Sequence, residues 1–109
     1  MFSAIKEDGR LYTRQNENGV WADYTRHGLA SWTEADVDQA PDGTIALIGT
    51  KDSGRLWTRS HDTQWGSYTA HGADTWSPQA QPSTAATNGS AILLAVKTDG
   101  RLFTRNLDS

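Results

Sequence analysis

The chain has 109 residues, enough for one small domain with a single core. Its net charge of -3 argues against binding to nucleic acid or to an anionic membrane, because both need a basic surface. It has no cysteine, which excludes disulfide bridges and thiolate metal sites. No run is long and apolar enough to span a bilayer, and residues 1–6 enter a strand pattern at once rather than resembling a signal peptide. We therefore expect a soluble chain, whose compartment the sequence leaves open.

A seven-residue string occurs three times and organises the chain. It reads small residue, Gly, Arg, Leu, aromatic, Thr, Arg, and its copies span residues 8–14, 53–59 and 99–105. In each copy a turn with Gly leads into an alternating strand, which is typical of a β-hairpin. The turns and the alternating residues between them predict strands at residues 2–6, 10–14, 20–25, 45–48, 55–59, 65–69 and 91–96.

The spacing of other residues sets the length of the repeat. Trp21 and Trp65 lie 44 residues apart, as do Tyr24 and Tyr68, His27 and His71, and Trp32 and Trp76. The sequence therefore predicts one repeat domain over residues 1–109, with repeat 1 at 2–43, repeat 2 at 44–89 and a partial repeat 3 at 90–109. The second and third repeats meet at a predicted turn, Asn88-Gly89.

The fold class that this pattern favours is all-β, with β-propeller blades of about 45 residues and two and a half repeats per chain. No segment has a helical period, and β-branched and aromatic residues fill the predicted strands. A β-sandwich or a short solenoid fits the same pattern. Because propellers need roughly four to eight blades, we expect several copies of the chain to close one ring as a homo-oligomer.

Residues 50–57 resemble the Asp-box of sialidase-type propellers, with Leu56 in place of the usual Thr. In that family the box stabilises a turn and is remote from the active site, so the resemblance implies a structural role. The catalytic residues of sialidases have no counterpart in so short a chain.

The order of the whole repeat resembles the blades of tectonin-like and bacterial fucose-binding propeller lectins. It runs through a Gly turn, a Gly-Arg-Leu-aromatic strand and a Trp-x-x-Tyr-x-x-His-Gly segment, residues 21–28 and 65–72. Such lectins bind monosaccharides, among them fucose-like sugars, in shallow pockets repeated once per blade. The resemblance implies the same activity and glycan partners here.

The residues support sugar binding independently. A pyranose has an apolar face that an aromatic ring covers and hydroxyl groups that Arg or His can hydrogen-bond. Trp32 and Trp76 lie in polar loops and are the leading candidates for stacking on a sugar. The full set of candidate ligand-binding residues is Trp32, Trp76, His27, His71, Tyr12, Trp57, Arg14 and Arg59.

Other residues have structural interpretations. Leu11, Leu56 and Leu102 are expected in the core, and Trp21 and Trp65 between blades. The aromatic–Arg pairs that share a strand face, such as Tyr12 with Arg14, suit cation–π packing as well as sugar contact. The acidic residues at 34–38 are expected on a solvated rim. His27 and His71 have no second ligand at a useful spacing, so we expect neither a metal site nor a cofactor.

No catalytic motif is present, and the duplicated residues favour binding over catalysis, so we do not expect an enzyme. The sequence therefore predicts a multivalent carbohydrate-binding lectin with one site per repeat. The main alternative is a propeller scaffold for protein–protein interaction without sugar binding. A weaker alternative is a non-catalytic part of a glycan-processing enzyme.

Overall fold

The computed structural model describes residues 2–17, 19–28, 31–62, 64–71, 75–77, 79–87 and 90–108, and all regular structure in these segments is β. The first six strands are β1 (Phe2–Ile5), β2 (Leu11–Arg14), β3 (Asn16–Glu17), β4 (Val20–Trp21), β5 (Thr25–His27) and β6 (Trp32–Gln39). The last six are β7 (Ile45–Lys51), β8 (Leu56–His61), β9 (Thr69–Ala70), β10 (Ser83–Thr87), β11 (Ser90–Val96) and β12 (Leu102–Asp108). The all-β prediction is confirmed. The predicted Asn88-Gly89 turn lies outside the described residues.

The strands form three small antiparallel sheets and one hairpin. Sheet I has the order β1-β2-β5, sheet II β6-β7-β8-β9 and sheet III β10-β11-β12, while β3 and β4 pair only with each other. The three copies of the seven-residue string place β2, β8 and β12 at equivalent positions, each paired with the preceding long strand.

The sheets and the sequence repeats are out of phase by one strand. β6 lies at the end of repeat 1, yet it pairs with β7 of repeat 2. In the same way β10, at the end of repeat 2, pairs with β11. Each link between repeats is therefore also a hydrogen-bonded link within a sheet.

Strand β6 corrects the prediction for the acidic stretch. Residues 34–38 are half-buried strand and not a solvated rim. The Asp36 carboxylate accepts a hydrogen bond from the backbone N–H of Thr84 at 3.0 Å, and Asp38 accepts one from Ala86 at 2.7 Å. The alternating carboxylates thus bind free backbone donors of β10, a role that polarity alone does not predict.

Each sheet has two different faces because side chains alternate along a strand. On β2, β8 and β12 one face carries Leu and Thr, and we call it the Leu face; the other carries the aromatic residue and the second Arg, and we call it the Arg face. The Leu face of sheet I packs on the Arg face of sheet II, where Leu11 meets Trp32 and Leu47. The Leu face of sheet II packs in the same way on sheet III.

That second contact joins Ile48 and Leu56 of sheet II to Leu93 and Ala95 of sheet III. Leu11 and Leu56 are buried, as predicted. Leu102 is not: 61% of its surface is exposed, because no described sheet covers the Leu face of sheet III. The core of the molecule therefore lies between sheets, and each sheet depends on its neighbour.

The turn glycine of the repeated string lies where consecutive sheets connect. Gly9 has φ +81°, and a Cβ on it would lie 2.8 Å from the backbone nitrogen of Ser31. The carbonyl of Gly9 accepts a hydrogen bond from the N–H of Trp32, and that of Gly54 accepts one from Trp76. A side chain here would meet both backbone strain and a clash.

No helix capable of crossing a membrane is found in the described parts of the chain.

Candidate functional site

A hydrogen-bonded unit joins sheets I and II and is centred on His27. Its Nε2 lies 2.7 Å from Thr13 Oγ1 within sheet I, and its carbonyl oxygen accepts the indole N–H of Trp32 at 2.8 Å. A guanidinium nitrogen of Arg59, from sheet II, lies 3.2 Å from its Nδ1. A guanidinium can only donate, so Nδ1 accepts and Nε2 carries the proton that it donates to Thr13.

The same unit recurs between sheets II and III. His71 Nε2 lies 2.6 Å from Thr58 Oγ1, and its carbonyl accepts the indole N–H of Trp76 at 2.6 Å. Arg105 of sheet III lies 3.3 Å from Nδ1. The repeat thus forms a constant four-residue link, Thr, His, Trp and Arg, across each contact between sheets.

Both histidines are held neutral. Burial, and secondly the nearby charge of Arg59, lower the pKa of His27 to about 4. Burial and the charge of Arg105 also lower the pKa of His71. Each imidazole therefore has a fixed tautomer and serves as an acceptor for arginine at neutral pH.

The space beside the first unit is filled by the chain itself. The Trp65 ring lies edge-on to His27 at 4.6 Å, and Tyr68 packs against Trp32 at 6.2 Å and Trp57 at 6.4 Å between ring centroids. The Tyr68 hydroxyl lies 3.2 Å from a guanidinium nitrogen of Arg59, which stacks over the Tyr68 ring at 4.6 Å. Trp32 is 4% exposed and Trp76 8% exposed, so both are buried and neither lies in an open polar loop as the sequence predicted.

The space beside the second unit is a cavity of about 250 Å³. Apart from Thr104, each lining residue occupies the repeat position of a residue around the first unit. The lining residues are Leu56, His71, Trp76, Leu93, Ala95, Lys97, Phe103, Thr104 and Arg105. Lys97 lies over both aromatic rings, at 5.2 Å from Trp76 and 5.1 Å from Phe103. We call this space the His71 cavity.

The structure divides the eight predicted site residues into three groups. His27, Trp32, Trp57 and Arg59 surround the filled first unit, and His71 and Trp76 line the His71 cavity. Tyr12 and Arg14 lie on the Arg face of sheet I, which no described sheet covers. Arg14 stacks there over Trp21 and Tyr24, at 5.4 and 4.7 Å.

The set of ligand-binding residues predicted from sequence does not include Lys97, Phe103 and Arg105, which line the His71 cavity. The repeat alignment contains the signal that finds two of them, because Phe103 and Arg105 are the third-copy equivalents of Trp57 and Arg59. Phe103 and Arg105 form one of the aromatic–Arg pairs that share a strand face, for which the sequence leaves packing and sugar contact equally open. The sheet packing shows that they serve the preceding repeat.

A second cavity, of about 330 Å³, lies at the other end of the contact between sheets II and III. Its walls are Leu47, Leu93 and hydroxyl-bearing residues such as Thr58 and Ser60. None of the described residues that line it is aromatic. Within the described segments no group of three His, Asp or Glu side chains is placed to hold a metal ion.

Comparison with protein-family models, curated proteins and solved structures gave no significant match to this chain.

Proposed function

We propose that the chain forms blades of a β-propeller that binds carbohydrate, with the His71 cavity as the ligand site. The observation that carries this proposal is the combination of Trp76 and Phe103 rings with His71 and Arg105 in one cavity between two sheets. The sequence resemblance to propeller lectins supports the same conclusion.

The chemistry of the cavity suits a single sugar. Trp76 and Phe103 meet edge to face at 5.9 Å. Phe103 is 41% exposed and Trp76 8%, so Phe103 offers most of the apolar surface for the C–H face of a pyranose, with the edge of Trp76 beside it. The guanidinium of Arg105 supplies hydrogen-bond donors for its hydroxyls. The volume of 250 Å³ is below the range of about 300–1,000 Å³ typical of drug-sized ligands, so a monosaccharide is the better match.

The first His unit has a different role in this proposal. Tyr68 and Trp65 already occupy the space that a sugar would need, so His27, Trp32, Trp57 and Arg59 stabilise the contact between sheets. Multivalency then comes from several chains, each with its His71 cavity, rather than from one site in every repeat.

Ring closure by further copies of the chain is the second part of the proposal. The two uncovered faces are of opposite kinds: the Arg face of sheet I and the Leu face of sheet III. On the first, Trp21 is 46% and Tyr24 57% exposed; on the second, Ile92 is 50% and Leu102 61% exposed. Within the chain these two kinds of face pack on each other twice, and a second copy would repeat that contact.

Such a head-to-tail contact is heterologous and closes into a ring when the rotation per chain divides a full turn. It also covers the large apolar side chains that a lone chain exposes. The proposed partner is therefore another copy of this chain, and the proposed ligand is a glycan.

The test is a glycan-array screen combined with light scattering on the same sample. Selective glycan binding by an assembly supports the proposal. An assembly that binds no glycan contradicts the lectin function and favours the protein-scaffold alternative. Substitution of Phe103→Ala should abolish glycan binding without unfolding, because Phe103 is 41% exposed at the cavity wall.

A further inference from the structure

We infer that the His71 cavity selects an acidic sugar, a pyranose that carries a carboxylate, over its neutral counterpart. The inference rests on the proposed function and names the ligand class of that site. It is carried by the charges that line the cavity and by the way in which Tyr68 fills the equivalent space one repeat earlier.

Among the described residues the cavity wall is cationic. Lys97 and Arg105 both line it, and none of the described lining residues is Asp or Glu. The salt bridges between described residues join Arg10 to Asp8 and Arg101 to Asp99, so no described carboxylate holds either cavity cation. A group that enters this space and hydrogen-bonds Arg105 gains most when it is itself negative.

His71 does not change the positive charge of the cavity wall. Its Nδ1 already faces Arg105 at 3.3 Å and its Nε2 faces Thr58, so the ring is satisfied on both sides as a neutral group. It adds no negative charge, and it holds the guanidinium at the cavity wall. Arg105 is exposed, so its remaining N–H groups are available to a ligand.

The position of Tyr68 beside the first His unit indicates the shape of a ligand that would fit the His71 cavity. Beside the first His unit its six-membered ring packs against Trp32 and Trp57, and its oxygen lies 3.2 Å from the Arg59 guanidinium. The equivalent groups of the His71 cavity are Trp76, Phe103 and Arg105. A ligand that reproduces this arrangement is a six-membered ring with an oxygen group directed at Arg105.

In the first unit the phenol oxygen of Tyr68 is enough, because Tyr68 is part of the chain and its contacts need not offset a free energy of association. A free ligand must offset that cost, and a carboxylate does so through a bidentate, charge-assisted pair with arginine. Lys97, directed over the same two rings, adds to the positive potential. A carboxylate on a pyranose satisfies both requirements, the ring and the anion.

The experiment compares sugars that differ only in charge. Calorimetric titration uses the methyl glycosides of glucuronic and galacturonic acid, each paired with the neutral glucoside or galactoside. We expect at least one acidic glycoside to bind about tenfold tighter than its neutral partner, with the difference shrinking as salt is raised.

Two variants test whether Arg105 causes the preference for the acidic glycoside. Arg105→Gln should remove the preference for the acidic glycoside while weak binding of the neutral one persists. Arg101→Gln is the matched control, because this arginine lies on the adjacent turn, pairs with Asp99 and does not line the cavity. Circular dichroism of both variants checks that the fold is retained.

The outcomes separate this inference from the function on which it rests. Equal or tighter binding of the neutral glycosides overturns the acidic selectivity and leaves the lectin proposal standing. Loss of the preference in Arg101→Gln as well as in Arg105→Gln also overturns it. Absence of binding to every acidic and neutral sugar contradicts both proposals.

Discussion

The hydroxyl of Thr58 lies 2.6 Å from Nε2 of His71, and the same relationship recurs between Thr13 and His27 at 2.7 Å. All four residues are buried. The Thr of the repeated string therefore orients the His of the neighbouring strand, whose carbonyl in turn holds the Trp that begins the contact with the next sheet. The repeated string therefore does more than form a strand, because its Thr is the first residue of the hydrogen-bonded link between two sheets.

Replacement of Thr13→Val should destabilise the protein by about 1–3 kcal/mol, because the Nε2–H of His27 would remain buried without an acceptor. Valine keeps the shape and the strand propensity, so the lost hydroxyl accounts for the effect. Urea unfolding measures it.

The third copy of the string provides the control for that change. Thr104 occupies the equivalent position on sheet III but is exposed, and no described His lies beside it. Thr104→Val should change the free energy of unfolding by no more than about 0.5 kcal/mol. Equal losses in the two variants would show that the hydrogen bond to His27 contributes little.

The Gly49→Ala substitution should destabilise the protein by about 1–3 kcal/mol through overpacking. A Cβ on Gly49 would lie 2.6 Å from the six-membered ring of Trp32, which is itself buried between sheets I and II. At the equivalent position of sheet III the chain already has Ala95, next to Trp76. The reverse change, Ala95→Gly, should cost less than about 1 kcal/mol. A neutral Gly49→Ala would mean that the indole moves freely, contrary to the packing described.

Acid should weaken the fold through the histidines. The pKa of His27 is about 4 in the folded chain against 6.5 for the ordinary residue, so the unfolded chain binds the additional proton first. The stabilisation is complete above pH 6.5 and is lost as the pH falls towards 4. His71 contributes in the same direction.

Chemical denaturation at a series of pH values between these limits measures how the free energy of unfolding changes with pH. The double variant His27→Gln with His71→Gln should have a flatter profile, although it is less stable at neutral pH. A profile as steep as that of the unmodified chain would assign the acid sensitivity to other groups.

Assembly should depend on both uncovered faces. Ile92→Thr with Leu102→Thr removes apolar surface from the Leu face of sheet III, and Trp21→Ala with Tyr24→Ala does so on the Arg face of sheet I. We expect each double variant to have the mass of a single chain in light scattering. Because these side chains are exposed, each variant should remain folded.

A mixture of the two variants distinguishes head-to-tail docking from a symmetric dimer. Each variant keeps one intact face, and the two intact faces are of opposite kinds, so the mixture should form pairs that cannot extend. Self-association of either variant alone would contradict the heterologous contact.

Several strands that adjoin the Gly turns of the repeated string could be predicted from sequence to within two residues. β2, β8 and β11 lie within one or two residues of their predicted bounds, because a Gly turn followed by alternating side chains is a local signal. The predicted strands at 20–25 and 65–69 are wrong for most of their length, since only 20–21, 25 and 69 lie in strands. The strands β6 and β10 could not be predicted from the sequence. β6 is rich in acidic residues and β10 in small ones, and each becomes a strand because a neighbouring strand and sheet supply its hydrogen bonds.

The candidate site was predictable in composition but not in arrangement. The sequence singled out His71 and Trp76, but it gave no indication that their arginine is Arg105, 34 residues further along the chain. It also ranked Trp32 and Trp76 alike. Both are buried, and what distinguishes them is that Tyr68 closes the space beside Trp32, whereas no described residue fills the space beside Trp76.

The sequence by itself determined the all-β class, the repeat and the residue types at each turn, because these follow from side-chain alternation and local backbone preferences. The tertiary structure alone decided which faces meet, which strand completes which sheet and which aromatic residues are covered. Those outcomes depend on contacts between residues about 45 positions apart, whose distances no local pattern records.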